Sequence, residues 1–352
     1  SFVLYKKMKL LRVTFFPIRI IFYILHITIL FFRNKLYDFK VYKTFYFKDV
    51  NIIGVGNLKL GGAGKTPLVE YIISILPKSK IALLSRGYKR KSSGFLFAKK
   101  NHSAHELGDE TNQIYKKNMD ITVAVDKNRV RGVKKIVQKR KKSLIILDDS
   151  HQHRRLKKNL NILVTEYDKL YSKDYLFPLG NLREYRSGAQ RANIIVVTKC
   201  PKEIHLNDQE NIKKKLSLKP HQKVFFSYIK EYKFIHNNQS CNLNKNKKYF
   251  LVTGIANPDP LLKKLTEMKI NFSNFKYSNH YFFKKSDINK LITKAKKEGV
   301  RELIVTEKDF YRLSKDDLIF IKSHFKLFHT QIEFDFIKEE KLLFNKQILK
   351  FI

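Results

Sequence analysis

Cysteine is scarce in this chain, with only Cys200 and Cys241 among 352 residues, and tryptophan is absent. Two distant thiols make a disulfide framework or cysteine-rich zinc site a poor reading, and they fit a reducing cytosolic compartment. Glycine and proline are sparse too, at 13 and 8, and no Gly-, Pro-, Ser- or Gln-rich tract argues for disorder. With 43% hydrophobic residues the chain can bury real cores, and its length suggests about two domains. Acidic residues are few: 31 Asp and Glu face 72 Lys and Arg, a net charge of +41. Such an excess first suggests nucleic acid. Here it is mostly lysine, spread along nearly the whole chain, and it accompanies a Lys, Asn, Ile, Tyr and Phe bias typical of coding sequence low in G and C. No nucleic-acid partner is expected; a basic surface suits an anionic membrane or a phosphorylated substrate equally well.

What the chain does have begins with an apolar run from Val13 to Phe32, interrupted by Arg19, His26 and two threonines. As a helix it would measure about 30 Å, enough to cross a bilayer. Lys6, Lys7, Lys9 and Arg12 precede it, and Arg33, Lys35 and Lys40 follow. No small-residue cleavage site follows, which disfavours a secretory signal, and positive charge on both sides assigns no orientation. Arg19 is tolerable near an interface, where it can snorkel. The expectation is a membrane-seated helix lying in the interface; a true span and a buried core helix are the alternatives.

Short β-branched runs then alternate with helical patterns: 51–55, 80–84, 121–125, 144–147, 161–165 and 194–198 read as strands. This alternation signals βαβ units and a largely parallel sheet. From 207 to 246 the chain turns polar, with strand-like pieces such as 223–229, and a second α/β pattern starts with strands at 249–253 and 302–306. The expected organisation is an anchor over 1–40, a core domain over 41–220, a linker over 221–248 and a smaller α/β domain over 249–352.

The strongest motif follows the first strand. Gly61-Gly62-Ala63-Gly64-Lys65-Thr66 leads into Pro67 and a helix. The glycines let backbone N–H groups converge on one anion, and the helix N-terminus adds its unpaired donors and dipole. Lys65 would reach the β- and γ-phosphates and Thr66 would ligate Mg²⁺. Pro67, in the first turn, removes no hydrogen bond. Lys59 stands where the common pattern has a glycine. The nucleotide-binding stretch is therefore Lys59, Leu60, Gly61, Gly62, Ala63, Gly64, Lys65 and Thr66. Leu144-Ile145-Ile146-Leu147 feeds directly into Asp148 and Asp149, placing carboxylates at the C-terminal edge of a strand, where such acids hold Mg²⁺. His151 and His153 beside them read as hydrogen-bonding groups before a transition-metal site. Gly108-Asp109-Glu110 and Asn279-His280 have bland readings from the residues alone: a cap or turn, and a structural histidine. Thr306-Glu307-Lys308-Asp309 after a strand, a Thr-x-Lys-Asp, is only faintly similar to the guanine-reading Asn-Lys-x-Asp motif and differs from it in residue order, so guanine specificity is not expected.

These motifs in this order resemble the tetraacyldisaccharide 4′-kinase family, in its Bacteroidetes-like form. The landmarks are Gly56-Asn57 with Gly61 to Pro67, Ser85-Arg86-Gly87-Tyr88, Gly108-Asp109-Glu110, Leu147-Asp148-Asp149 with Gln152-His153-Arg154, Gly180-Asn181-Leu182-Arg183-Glu184, Thr198-Lys199-Cys200-Pro201, Gly254-Ile255-Ala256-Asn257-Pro258 and Asn279-His280. The spelling of the loop, with Lys59, is the one that family uses. The resemblance implies a P-loop NTPase-like parallel sheet with helices on both faces, a second smaller α/β domain and an N-terminal membrane-associated helix. It implies transfer of the ATP γ-phosphoryl group to the 4′-hydroxyl of a membrane-embedded lipid, tetraacyldisaccharide 1-phosphate, giving lipid IVA at the cytoplasmic face of the inner membrane, with ATP and Mg²⁺ as cofactors and no obligate protein partner. Residue by residue, Asp109 matches the catalytic acid and His280 the histidine supporting it. Asp148 and Asp149 match the Walker-B-like acids near Mg²⁺, and Arg183 and Glu184 a motif near the site. Two positions depart: Asn279 stands where the family usually has Asp, and Ser150 where it often has Gly or Ala. The alternatives are a phosphate-loop ATPase or GTPase acting as a membrane switch, and a basic nucleic-acid-binding protein.

Overall fold

The structure is a computed structural model that describes residues 16–338 and 340–352, with side chains from Ile20 onward. Val13 to Phe15 of the expected anchor, and Lys6, Lys7, Lys9 and Arg12 before it, lie outside the described residues, as does the Arg19 side chain. The first element among the described residues is helix α1 (Phe16–Asp38).

Strands β1 (Asn51–Asn57), β2 (Ile81–Ser85), β3 (Leu96–Phe97), β4 (Thr122–Val125), β5 (Leu144–Leu147), β6 (Leu160–Glu166) and β7 (Ile194–Thr198) come first in the sheet's sequence. They are followed by β8 (Lys223–His236), β9 (Gln239–Cys241), β10 (Lys248–Thr253), β11 (Asn271–Lys276), β12 (Glu302–Val305) and β13 (Lys326–Phe336). They form one 13-stranded sheet in the order β11-β10-β12-β13-β8-β7-β6-β1-β5-β2-β4-β3, with β9 on β8. Pairing is parallel except at β3–β4, β8–β13 and β8–β9. Central strands such as β5 and β7 are buried along their whole length. That explains why they read as continuous apolar runs and not as alternations.

Helices cover both faces. α2 (Lys65–Ser74) and α4 (Asp109–Lys117), which follows the short α3 (Ala104–Leu107), pack on one side of β1, β2, β4 and β5; α5 (Arg129–Arg140) packs on the other. α6 (Leu206–Leu216) covers β6 and β7. Around β10 to β13 the same layering recurs with α7 (Asp259–Glu267), α8 (Lys285–Glu298), α9 (Glu307–Arg312) and α10 (Lys315–His324). α11 (Glu340–Leu349) closes against β8 and β13. β8 joins the two halves: residues 223–226 pair parallel with β7, and residues 227–235 pair antiparallel with β13.

α1 leans on the body by a narrow stripe. Tyr23, Ile27 and Leu30 pack on the β6–β7 core, His26 Nδ1 lies 2.7 Å from the Phe177 carbonyl, and Arg33 donates to the Gln152 carbonyl at 2.6 Å. Ile21, Phe22, Ile24, Leu25, Ile29, Phe31 and Phe32 remain exposed. Ile20–Asp38 is long and apolar enough to cross a membrane. The buried-core alternative is excluded, since only Leu30 of the helix residues from 20 onward is buried.

Candidate active site

β1 delivers the chain into the glycine loop, and the loop delivers it into α2. Gly61 and Gly64 take φ of +102° and +82°, in the left-handed region where a Cβ is strained. A Cβ on Gly61 or Gly62 would meet nothing within 4 Å, so this side of the loop is open. The backbone N–H groups of Gly61, Gly62 and Gly64 have no acceptor among the described residues. Unpaired donors facing open space at a helix N-terminus form an anion cradle, which fits the phosphates of ATP. The back of the loop is tied down: Thr198 Oγ1 donates to Ala63 O at 2.9 Å, and Lys199 Nζ to Gly62 O at 2.9 Å. Lys59 pairs with Asp174 at 2.6 Å, and the Leu60 N–H donates to Asn181 O at 2.8 Å.

Lys65 is held ready by Asn57 Oδ1 at 3.0 Å and Asp149 Oδ1 at 3.4 Å. Arg183 reaches both of those partners: its guanidinium meets Asp149 Oδ2 and Oδ1 at 2.9 and 2.8 Å and donates to Asn57 Oδ1. Burial pushes the Asp149 carboxyl up, but Lys65 and Arg183 outweigh it and hold Asp149 well below the usual carboxylate range. Asp148 goes the other way. Burial, then Glu110, then Asp149 push it up to about 6. Its Oδ2 accepts from Ser85 at 3.2 Å, whereas Oδ1 is buried with no partner. An orphaned carboxylate oxygen is costly unless something cationic meets it. Asp148, Asp149 and Thr66, buried at the start of α2, therefore suit Mg²⁺, which binds through one or two carboxylates and completes its shell with water and phosphate.

The sequence left Asp109 and His280 171 positions apart; the fold brings His280 Nδ1 within 2.7 Å of Asp109 Oδ2. Gly108, at φ +82° and ψ +151°, makes the turn that puts Asp109 first in α4. Burial raises the Asp109 carboxyl, yet the His280 hydrogen bond and the Arg312 charge outweigh it and keep it below the ordinary range. Asp109 is thus an ionised, water-shielded carboxylate, only 7% exposed. Glu110, next in the helix, pairs with Lys308 at 2.7 Å. It is held down by Lys308, against burial, and also by Lys65, while its own charge raises Asp148. Those mutual influences place the start of α4 close to the phosphate loop.

The resemblance-matched Glu184 is buried beneath the site, paired with Arg191 and 3.7 Å from His151. His151 Nε2 donates to Gly188 O and its Nδ1 accepts from Asn161 Nδ2, as a structural histidine does. Ser150 is buried, and its Oγ lies so near Gly54 that a Cβ there would approach to 2.7 Å. Asn279 is exposed; the carboxylate that His280 meets is Asp109, not its chain neighbour. Residues 306–309 do not read a base. Thr306 caps α9, Glu307 pairs with Lys117 at 2.8 Å, Lys308 pairs with Glu110, and Asp309 pairs with Arg312 at 2.7 Å. Sequence reasoning missed Arg312 and the hub role of Asn57. A Thr-x-x-Asp helix start with Arg three residues after the Asp was the available sign of the first.

A parallel α/β sheet that presents an anion cradle, a loop lysine and strand-end acids beside an ionised carboxylate defines a phosphate-loop kinase. The family model described as tetraacyldisaccharide-1-P 4′-kinase matches residues 17–351, and the chain belongs to that family. A relative named tetraacyldisaccharide 4′-kinase in Flavobacterium johnsoniae is 41% identical over 98% of this chain and 98% of its own length. One of the same name in Phocaeicola vulgatus is 38% identical over 91% of this chain and 90% of its own. The crystal structure of LpxK from Aquifex aeolicus in complex with ATP superposes with a TM-score of 0.72 at 27% identity, covering 97% of this chain and 99% of that one.

Proposed function

We propose that this chain transfers the γ-phosphoryl group of ATP to the 4′-hydroxyl of tetraacyldisaccharide 1-phosphate, forming lipid IVA at the cytoplasmic face of the bacterial inner membrane. The observation that carries the reading is an ionised, shielded Asp109 paired with His280 within electrostatic reach of Lys65 through Glu110. A sugar hydroxyl is a very weak acid, so a carboxylate base must meet it near the γ-phosphate. Asp109 takes that role, and His280 orients it. The residues from Lys59 to Thr66 cradle the phosphates, and Lys65 neutralises charge growing on the transferred group. Mg²⁺ would be held by Thr66, Asp148 and Asp149 and would supply charge neutralisation on the phosphates. Arg183 keeps Asp149 and Asn57 in register behind Lys65.

The substrate's acyl chains resist leaving the bilayer, at about 0.8 kcal/mol for each exposed CH₂. The enzyme must therefore come to the membrane. The exposed apolar side of α1 supports an interfacial seat, with Lys35 stacked near Phe31 and Phe39 at the end of the run. The basic surface favours the anionic membrane. We take 41–220 and 249–352 as two lobes joined through 221–248, which close on ATP and exclude water. Purified full chain with Mg²⁺-ATP should release ADP only when tetraacyldisaccharide 1-phosphate is added. ADP release indifferent to that lipid would instead favour the membrane-switch alternative.

A further inference from the structure

Arg312 has no place in the scheme so far, yet it is among the most enclosed cations in the molecule, its side chain 1% exposed. Its Nε donates to Asp109 Oδ2 at 3.1 Å and its Nη2 lies 2.9 Å from the same oxygen. Its Nη1 meets Asp309 Oδ1 at 2.7 Å and the Tyr281 carbonyl at 3.1 Å. An Arg–carboxylate pair that served stability alone would gain most as a fork, one nitrogen to each oxygen. Here both nitrogens crowd onto Oδ2, which also meets His280 Nδ1 at 2.7 Å. No bond falls on Asp109 Oδ1 among the described residues. Oδ2 is thus fully occupied, and Oδ1 keeps its lone pairs.

The support continues behind Arg312. Asp309 is fully buried, and its Oδ2 accepts from Thr306 Oγ1 at 2.6 Å and from the Gly254 N–H at 2.8 Å. The Gly254 carbonyl in turn accepts from the His280 N–H at 3.2 Å. His280 is itself held at φ +64°, a conformation that a non-glycine residue keeps only where its surroundings enforce it. Gly254 and Arg312 therefore each touch the His280 turn and the Asp309 carboxylate.

We propose that Arg312 is a positioning residue for phosphoryl transfer: carried by Asp309, it fixes Asp109 through Oδ2 and the His280 turn through Tyr281, so that Oδ1 is the oxygen presented to the acceptor hydroxyl. The inference rests on the reading of Asp109 as the base. As the acceptor oxygen bonds to the γ-phosphorus, its proton passes to Asp109 Oδ1. The bond between the γ-phosphorus and the β–γ bridging oxygen breaks, and its electron pair leaves with ADP. The titratable and charged groups around Asp109 are His280 from its turn, Arg312, Lys308 and Asp309 from α9, and Glu110 from its own helix. The loop packed against Gly108 carries Arg86, Lys89 and Arg90.

The test compares Arg312→Lys, Arg312→Gln and Asp109→Asn in purified full chain with Mg²⁺-ATP and the tetraacylated lipid, reading kcat against pH, KM for ATP and thermal melting. Arg312→Lys keeps the charge but cannot hold both carboxylates; kcat should fall about 10- to 100-fold, with KM for ATP within about twofold and the acid limb in place. Arg312→Gln removes a cation that, after the His280 hydrogen bond, holds Asp109 down, so Asp109 titrates higher and the acid limb should also move to higher pH. Wild-type kcat and profile in either variant overturns the proposal, as does a kcat loss matched by an equal rise in KM for ATP. Should Arg312→Gln fail to fold, Arg312→Lys alone decides. An active Asp109→Asn sinks the base reading itself, whereas an inactive Asp109→Asn beside unaffected Arg312 variants sinks only this inference.

Discussion

Lys65 is the first residue of α2, and its ammonium stands between Asn57 and Asp149. Replacing it with alanine should lower kcat at least about 100- to 1000-fold, the scale of a lost transition-state donor, in a lipid phosphorylation assay. Asn279 is exposed and lies outside the Asp109–His280 contact. Asn279→Asp should therefore change kcat by less than about twofold, because a solvated charge is well screened. A large gain in kcat would show that the residue before His280 tunes it after all. At this scale the loop and the strand-end acids were legible, because a motif keeps its chemistry within a few consecutive residues. Asp109 and His280 entered only through resemblance, since nothing local tells a base from a helix cap. Arg312, three residues past a motif that superficially suggested guanine, stayed invisible because its partners come from chain segments up to 203 positions away.

Between elements, a half-buried cluster joins the loop helix, the helix of Asp109 and α9. Lys117 on α4 pairs with Glu70 on α2 at 2.5 Å and with Glu307 on α9 at 2.8 Å, and Gln113 donates to both carboxylates. One lysine for two acids leaves Glu307 short of countercharge; burial, then Glu70, push it up to about 7. A carboxyl raised in the folded state favours folding below its unfolded value of about 4.3, and that advantage is lost as pH rises toward 7. Glu307→Gln should consequently flatten the decline in folding stability between pH 5 and 8, by on the order of 1–3 kcal/mol at the upper end, read by denaturant unfolding at each pH. An unchanged slope would contradict the assignment. Gly108→Ala is the sharper element test. A Cβ there would lie 2.7 Å from the Tyr88 carbonyl at a φ of +82°, costing on the order of 1–3 kcal/mol and displacing Asp109. Its kcat should fall further than its affinity for ATP. The buried parallel strands were legible as apolar runs. β11 and β13 were not, because β11 is a half-exposed edge strand and β13 mixes polar residues through its second half.

Over the whole molecule, one sheet runs from the phosphate loop to the edge beyond β10, and α1 stands on its flank with an apolar outer side. The long apolar helix was legible from composition; the narrow stripe by which it docks was not, since Tyr23, Ile27 and Leu30 match a core cluster built mainly from residues 163–226. Replacing exposed Ile21, Ile24 and Leu25 with aspartate should release the protein from liposomes in sedimentation while the melting temperature holds, because each of those residues is more than half exposed. Unchanged sedimentation would remove the helix from the membrane role. The most direct test of the central claim is mass analysis of tetraacyldisaccharide 1-phosphate after incubation with the purified full chain and Mg²⁺-ATP, beside Asp109→Ala. The lipid should gain one phosphoryl group on the 4′-hydroxyl with the unaltered chain and none with the variant. An unmodified lipid with the unaltered chain, or equal product with both, would contradict it.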